Sequence, residues 1–157
     1  MYYLSYKTIA PGQGHAAGRE LLAQLYRTHV GGQMPEIVVQ NLGKPVFSLG
    51  NWHFSISHTP HYAFCALGDR PLGLDAEEQS RQLNPQLAGK ILSPGELAQY
   101  RQARDKNAAL LRFWVLKEAW GKLLGTGIRL WPNHTDFQLS DPAIQEISGC
   151  FVAILEE

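Results

Sequence analysis

The stretch RFWVLKEAWGK at residues 112–122 sets charges into a helix that has no polar side to hold them. At roughly 100° per residue, Phe113, Leu116, Ala119, Trp120, Leu123 and Leu124 cover one half of such a helix, and Leu110, Leu111, Trp114 and Val115 cover much of the other. A helix apolar nearly all round belongs in an interior. Yet Lys117, Glu118 and Lys122 lie within it. Glu118 and Lys122, one turn apart, project about 40° from each other. Gly121 falls on the same side as Trp114 and Glu118, and a glycine costing about 1 kcal/mol in a helix interior is consistent with a close backbone approach there. Taken alone, the pair fits a surface ion pair contributing about 0.3–0.5 kcal/mol as well as it fits a site. A second patch decides between them: Gly73-Leu74-Asp75-Ala76-Glu77-Glu78.

With 157 residues, 45% hydrophobic and 18% charged, the chain suits one domain, or two small packed lobes, with a real core. Its 14 basic and 14 acidic residues generate no overall field favouring nucleic acid or a membrane surface, so any anion site is local. There is no signal peptide and no apolar run of membrane-spanning length. The two cysteines, Cys65 and Cys150, each sit in an apolar strand-like run, which fits buried thiols in a reduced cytoplasmic protein.

Residues 1–8 are aromatic and β-branched enough for a first strand, and 15–29 carry Leu21, Leu22, Leu25 and Tyr26 at helical spacing. Arg19 and Arg27 lie on that helix, where a solvated face accounts for them. A short strand at 37–40 is followed by turns at 41–45 and 50–51. Strands are expected at 53–58, 62–68 and 71–77 as a meander of neighbours, and helix at 83–92. Ser93-Pro94-Gly95-Glu96 forms a capping box that opens a helix over 96–104. The long helix is expected from about 105 to 124, ending at Gly125-Thr126-Gly127. Strands at 134–139 and 150–155 close an α+β pattern: an antiparallel sheet with one long helix laid across it.

Asp75 and Glu77, two apart on a strand end, point to the same face. Two carboxylates held there repel unless a cation lies between them, and Mg²⁺ binds through one or two carboxylates together with phosphate oxygens. An exposed acidic pair at a strand end explains these two residues equally well on their own. Glu118 supplies a third carboxylate and Lys122 a cation one turn on, a set that suits a pyrophosphate. Ser57-His58, ending the neighbouring strand, adds a hydroxyl and an imidazole, and Lys44 offers a cation on a stiff turn.

Gly43-Lys44-Pro45, Phe54-Ser55-Ile56-Ser57-His58-Thr59, Gly73-Leu74-Asp75-Ala76-Glu77, and Trp114 to Lys122 followed by Gly125-Thr126-Gly127-Ile128 together resemble the 4′-phosphopantetheinyl transferases of the surfactin-synthetase-activating (Sfp) type. The order and spacing agree over roughly residues 42–128. The resemblance implies transfer of the phosphopantetheine arm of coenzyme A to a serine of an apo acyl or peptidyl carrier protein, with release of 3′,5′-ADP. It implies a pseudo-dimeric fold of two similar α/β lobes, each an antiparallel sheet packed by a long helix, with coenzyme A in the cleft. The lobes would span approximately 1–70, shortened for this type, and 71–157. By the same resemblance Asp75, Glu77 and Glu118 hold Mg²⁺, and Glu118, Lys122 and His58 are catalytic. Lys44, Ser57, His58 and Lys122 line the coenzyme, and Arg19 is the best local match for a phosphate-contacting arginine.

Glu118 is a candidate base for the carrier serine, although a metal-bound carboxylate is a weak base near neutral pH, which leaves a water relay or direct metal activation open. Ala76 stands where the family usually has a branched apolar residue, which changes packing and not ligation. The shortened first lobe also leaves open a degenerate member that binds coenzyme A or a carrier without catalysis, and a purely structural domain is the third reading. A monomer is expected, because the extra amino-terminal lobe fills the role of a neighbouring subunit in the shorter trimeric synthases. His58 and His61 do not form a zinc pair across Pro60. Cys65 is too apolar in setting to act as a nucleophile beside His58. Trp52, Trp114, Trp120 and Trp131 read as core or lobe contacts.

Overall fold

The computed structural model describes residues 1–127 and 136–157. In chain order the elements are β1 (Tyr2–Thr8), α1 (Gly14–His29), β2 (Ile37–Val39), β3 (Pro45–Phe47), β4 (His53–His58), β5 (Tyr62–Gly68) and β6 (Leu72–Glu78). They continue with α2 (Leu87–Ile91), α3 (Pro94–Gln102), α4 (Lys106–Leu124), β7 (Ile144–Ile147) and β8 (Cys150–Glu156). All strand pairs are antiparallel, in three sheets ordered β1-β5-β4, β2-β3 and β6-β8-β7.

Strand alternation assigns each face of the two larger sheets. On β5, Ala63, Cys65 and Leu67 pack with Leu21, Leu22, Leu25 and Tyr26 of α1. The intervening Phe64 and Ala66 turn the other way and meet Leu72, Leu74 and Ala76 of β6 and Cys150, Val152 and Ile154 of β8. On β8, Phe151 and Ala153 face back to α4 with Leu111, Val115 and Ala119. The result is helix, sheet, sheet, helix, and it leaves no solvated face on β5 or β8. Both thiols are free and buried; burial pushes Cys65 up to about 12 and Cys150 to about 11, so neither is a nucleophile at neutral pH.

The sheets are joined at their edges by side chains. Phe54 and Ile56 of β4 face α1, so Ser55 and Ser57 point to the opposite side, where both are buried. The Leu74 amide donates to Ser55 Oγ at 3.0 Å and the Ala76 amide to Ser57 Oγ at 3.2 Å. Two hydroxyls thus satisfy outward N–H groups of β6 that a fourth strand would otherwise have to take. The expected meander therefore stops at β5: β6 starts the second sheet. Strands β3 and β7 are additions to the sequence expectation, and the helix expected at 83–92 is limited to α2.

At α4 the sequence signals hold. Asp105 Oδ1 accepts from the Ala108 amide at 2.9 Å as N-cap, and Gly125 ends the helix in the left-handed region at φ 71°. The capping box at Ser93 is complete, with Glu96 Oε1 accepting from the Ser93 amide at 2.8 Å. Glu96 then does more than cap: fully buried, it pairs with Lys117 at 2.7 Å and accepts from the Phe137 amide at 3.3 Å. Lys117 is thereby assigned to the core. The strand expected at 134–139 begins outside the described residues, as do Ile128 and Trp131, and 136–139 is not a strand. Its backbone is satisfied by side chains instead: Gln99 bonds both Phe137 O and the Leu139 amide at 3.0 Å.

Gly73 fixes how near α4 comes to β6. A Cβ there would lie 2.0 Å from the Ala119 carbonyl oxygen and 2.5 Å from the Leu123 amide nitrogen, both backbone atoms that cannot step aside. Gly73→Ala is therefore expected to destabilise the protein by about 3 kcal/mol or more. Urea unfolding measures it, and a change below about 1 kcal/mol would mean that α4 does not rest on β6.

Candidate active site

Because Gly73 shares its face of β6 with Asp75 and Glu77, the strand presents both acids on the side where α4 lies. Glu118 and Lys122 project from α4 toward them, and Ser57 and His58 arrive on the end of β4. These residues line one cavity of about 300 Å³: Ile56, Ser57, His58, Asp75, Glu77, Trp114, Glu118 and Lys122. Six of the eight expected site residues thus line one cavity, and Lys44 and Arg19 lie outside it.

Asp75 is the centre of the arrangement. Its Oδ1 accepts from Lys122 Nζ at 2.8 Å and from Ser57 Oγ at 3.0 Å. Lys122 also donates to the Ile56 carbonyl at 3.4 Å, joining α4 to β4 across β6. The second oxygen, Oδ2, is buried and has no hydrogen-bond partner among the described residues. A bare buried carboxylate oxygen costs about 1–3 kcal/mol or more if left unmet, so it signals a ligand.

Glu77 is bonded by Arg81 and by the Trp114 side chain. Burial and then the Asp75 charge raise its pKa, and Arg81 and Trp114 oppose the rise. Glu118 is lifted further, to about 7, first by burial and then by Asp75, with Lys122 pulling the other way. Three carboxylates whose charges disfavour one another are the condition a divalent cation relieves. As they stand, no three His, Cys, Asp or Glu side chains among the described residues are gathered closely enough to ligate one ion. The donor set and the bare Asp75 Oδ2 nevertheless fit Mg²⁺, with the carboxylates of Glu77 and Glu118 turning toward it.

On one side this cavity shares Ile56 and Lys122 with another of about 240 Å³, lined also by Leu42, Lys44, Gly121 and Gly125. Lys44 is present as expected, but its ammonium donates to the Leu123 carbonyl at 2.8 Å, at the carboxyl end of α4. On the other side it shares His58 and Glu77 with a space of about 670 Å³ bounded by Gly12, Gly14, His15, Pro60 and Arg81. His58 lies directly against Gly14, where a Cβ would come within 2.3 Å of its ring, so the glycine at the start of α1 positions the imidazole. Arg19 lies half-buried further along α1 and is not among the residues lining these three spaces; the expectation of a phosphate contact finds no support in the geometry. Arg81 and Trp114 bound the site without being expected there: Arg81 is not singled out in the sequence, and Trp114 reads as a core or lobe contact. Trp114 was detectable, being one turn before Glu118; Arg81 follows the end of β6 in a turn and carries no periodic signal.

A family model for the 4′-phosphopantetheinyl transferase superfamily matches residues 71–154, more than half of the chain. The chain belongs to that superfamily. It is similar to the 4′-phosphopantetheinyl transferase Sfp of Bacillus subtilis, 29% identical over 127 residues, which is 74% of this chain and 56% of that protein. It is likewise similar to the 4′-phosphopantetheinyl transferase psf-1 of Bacillus pumilus, 29% identical over 71% of this chain and 52% of the relative. A holo-[acyl-carrier-protein] synthase of Sodalis glossinidius is 41% identical over 58 residues, 37% of this chain and 46% of the relative. The chain spans about half the length of the relatives it matches.

Glu118 gives the site a pH signature. A carboxyl raised from 4.5 to about 7 on folding binds its proton more tightly in the folded state, so its contribution to stability is complete below about 4.5 and is lost as pH rises to about 7. Without metal, the melting temperature of the native protein is expected to fall between pH 5 and 7.5 more steeply than that of Glu118→Gln. Equal slopes in differential scanning fluorimetry would show that Glu118 is not strongly desolvated.

Proposed function

We propose that this protein transfers the 4′-phosphopantetheine moiety of coenzyme A to a serine of an apo acyl or peptidyl carrier protein, releasing 3′,5′-ADP. The observation that carries the reading is the buried Asp75 with one oxygen neutralised by Lys122 and Ser57 and the other bare, beside Glu77 and Glu118. Membership of the superfamily and the activities by which the relatives are named support the same chemistry. We further assign approximately residues 1–70 and 71–157 to two similar lobes in a pseudo-dimeric arrangement. The protein is taken as a cytoplasmic monomer; among the described residues no helix is long and apolar enough to cross a membrane.

Asp75, Glu77 and Glu118 would hold Mg²⁺, which when bound supplies charge neutralisation to the pyrophosphate. The chain's own groups do the rest. Lys122 carries a fixed positive charge next to Asp75, where the leaving phosphate oxygens of coenzyme A need it. His58, held by Gly14, contacts the nucleotide's phosphates together with Lys122, and Lys44 and Ser57 line the nucleotide side. The carrier serine oxygen bonds to the phosphorus bearing the pantetheine arm, the bond from that phosphorus to 3′,5′-ADP breaks, and the serine proton passes to Glu118. Its carboxyl, raised to about 7, is matched to that task at neutral pH. That value is reached with Lys122 already opposing the rise; a cation bound to Glu118 would lower it, and a water between serine and carboxylate would then be the proton's path.

Incubation with coenzyme A, Mg²⁺ and several apo carrier proteins is expected to add the arm's mass to the carrier. Asp75→Ala is expected to abolish the transfer, and Glu118→Gln to lower kcat by about 10²- to 10⁴-fold. Folded protein that binds coenzyme A and modifies no carrier would instead establish the non-catalytic binding reading.

A further inference from the structure

Two cations already sit on the acidic set, and they are not held alike. Lys122 is tied to Asp75 Oδ1 and to the Ile56 carbonyl, with its side chain about two-thirds buried at 33% exposure. Arg81 pairs with Glu77 alone among the acids, and its side chain is 45% exposed. Its guanidinium lies over the Trp114 ring, 5.5 Å from the centroid, and faces the roughly 670 Å³ space that it bounds together with His15, His58 and Pro60.

The backbone at Arg81 is fixed even though its head group is not. The Arg81 amide donates to the Glu78 carbonyl at 2.9 Å. Its own carbonyl accepts from Asn107 Nδ2 at 2.8 Å, while Asn107 Oδ1 accepts from the Leu83 amide at 3.0 Å. One side chain in the first turn of α4 therefore clamps the turn that carries Arg81. The guanidinium is delivered to Glu77 by construction, with open space beside it into which it can withdraw.

Resting on the cation site proposed above, we propose that Arg81 is an intramolecular competitor of the divalent ion: it holds Glu77 while the site is empty and must release it for the ion to load. While the guanidinium is paired with Glu77 Oε1 it sets a positive charge beside the acid that a divalent ion would use, and the two cations repel; among the described residues no three acids are gathered around one point. The Arg81 end of the pair is the one that yields, because its head group is 45% exposed and water can take it up, whereas the Glu77 side chain is only 15% exposed. Lys122, less exposed and doubly bonded, stays. On release the guanidinium enters the space shared by His15 and His58 and places a positive charge on the side of the cleft opposite Lys44. Arg81 in this account is a positioning residue, since it acts through Glu77.

The test is Mn²⁺ binding to the full chain without nucleotide, followed by electron paramagnetic resonance of the free ion. Four proteins are compared: native, Arg81→Gln, Arg81→Lys and Asp75→Asn. Removing the competing charge is expected to tighten Mn²⁺ binding by about five- to tenfold in Arg81→Gln. Arg81→Lys keeps the charge and is expected to remain within about twofold of the native protein. Asp75→Asn is expected to lose binding. Unchanged or weaker binding in Arg81→Gln, with Asp75→Asn still defective, would overturn the proposal and leave the cation site standing. Native-like binding in Asp75→Asn would remove the site itself and the proposal with it.

Discussion

Asp75 is a carboxylate that the fold buries and then satisfies only by half. Its inner oxygen takes a hydroxyl from β4 and an ammonium from α4, while its outer oxygen takes nothing among the described residues. Folding normally pairs every buried polar atom, and departures concentrate where a site has work to do. Three separate elements converge on this one side chain. The close approach of α4 to β6 at Gly73 and the edge-to-edge join of β4 to β6 through Ser55 and Ser57 both lead there.

The edge join shows how structure and site share residues. A sheet edge needs acceptors for its outward amides, and a serine hydroxyl can accept from an amide while donating elsewhere. Ser57 does both: it receives the Ala76 amide and gives its proton to Asp75. Removing it would unpair a β6 amide and loosen Asp75 together. The neighbouring Lys117 makes the complementary point. Adjacent in sequence to Glu118, it turns about 100° away around the helix and is consumed by Glu96 in the core. Breaking such a buried pair costs about 3–5 kcal/mol, so Lys117 fixes the rotation of α4 that aims Glu118 at the cleft.

Much of this was legible in the sequence where local signals were strong. The period-2 run at 53–58, the apolar run at 62–68, the Ser93 capping box and the Asp105 to Gly125 helix appear where pattern and caps place them. The alternation of Asp75 with Glu77 puts both on one face of a strand, and the turn between Glu118 and Lys122 puts both on one face of a helix; that these two faces meet is given by the fold. What escaped notice depended on partners distant in sequence. Ser55 and Ser57 alternate with Phe54 and Ile56 as the polar side of a half-buried strand would, yet that side is buried against β6. Residues 136–139 looked like a strand, but Glu96 and Gln99 of α3 supply the bonds that a ladder would have given. β3 and β7 are too short for a periodic signature. Arg81 reaches Glu77 from a turn shaped by Asn107, a residue 24 positions from the Leu83 amide it binds. The resemblance named Arg19, which the fold places on α1 outside the cleft.

The superfamily match covers the half of the chain that holds β6, α4 and the acids Asp75, Glu77 and Glu118, while Ser57, His58 and Lys44 come from the other half. The cleft is thus completed by contributions from both sheets, with Asp75 at their meeting point. Anomalous diffraction from Mn²⁺-loaded crystals examines that meeting point most directly. The expected result is a peak at the ligation distance of a small hard cation, about 2.1 Å, from Asp75 Oδ2, with oxygens of Glu77 and Glu118 around it. A peak bound elsewhere on the protein, or an Asp75 Oδ2 already hydrogen-bonded to a protein group in the crystal, would contradict the account.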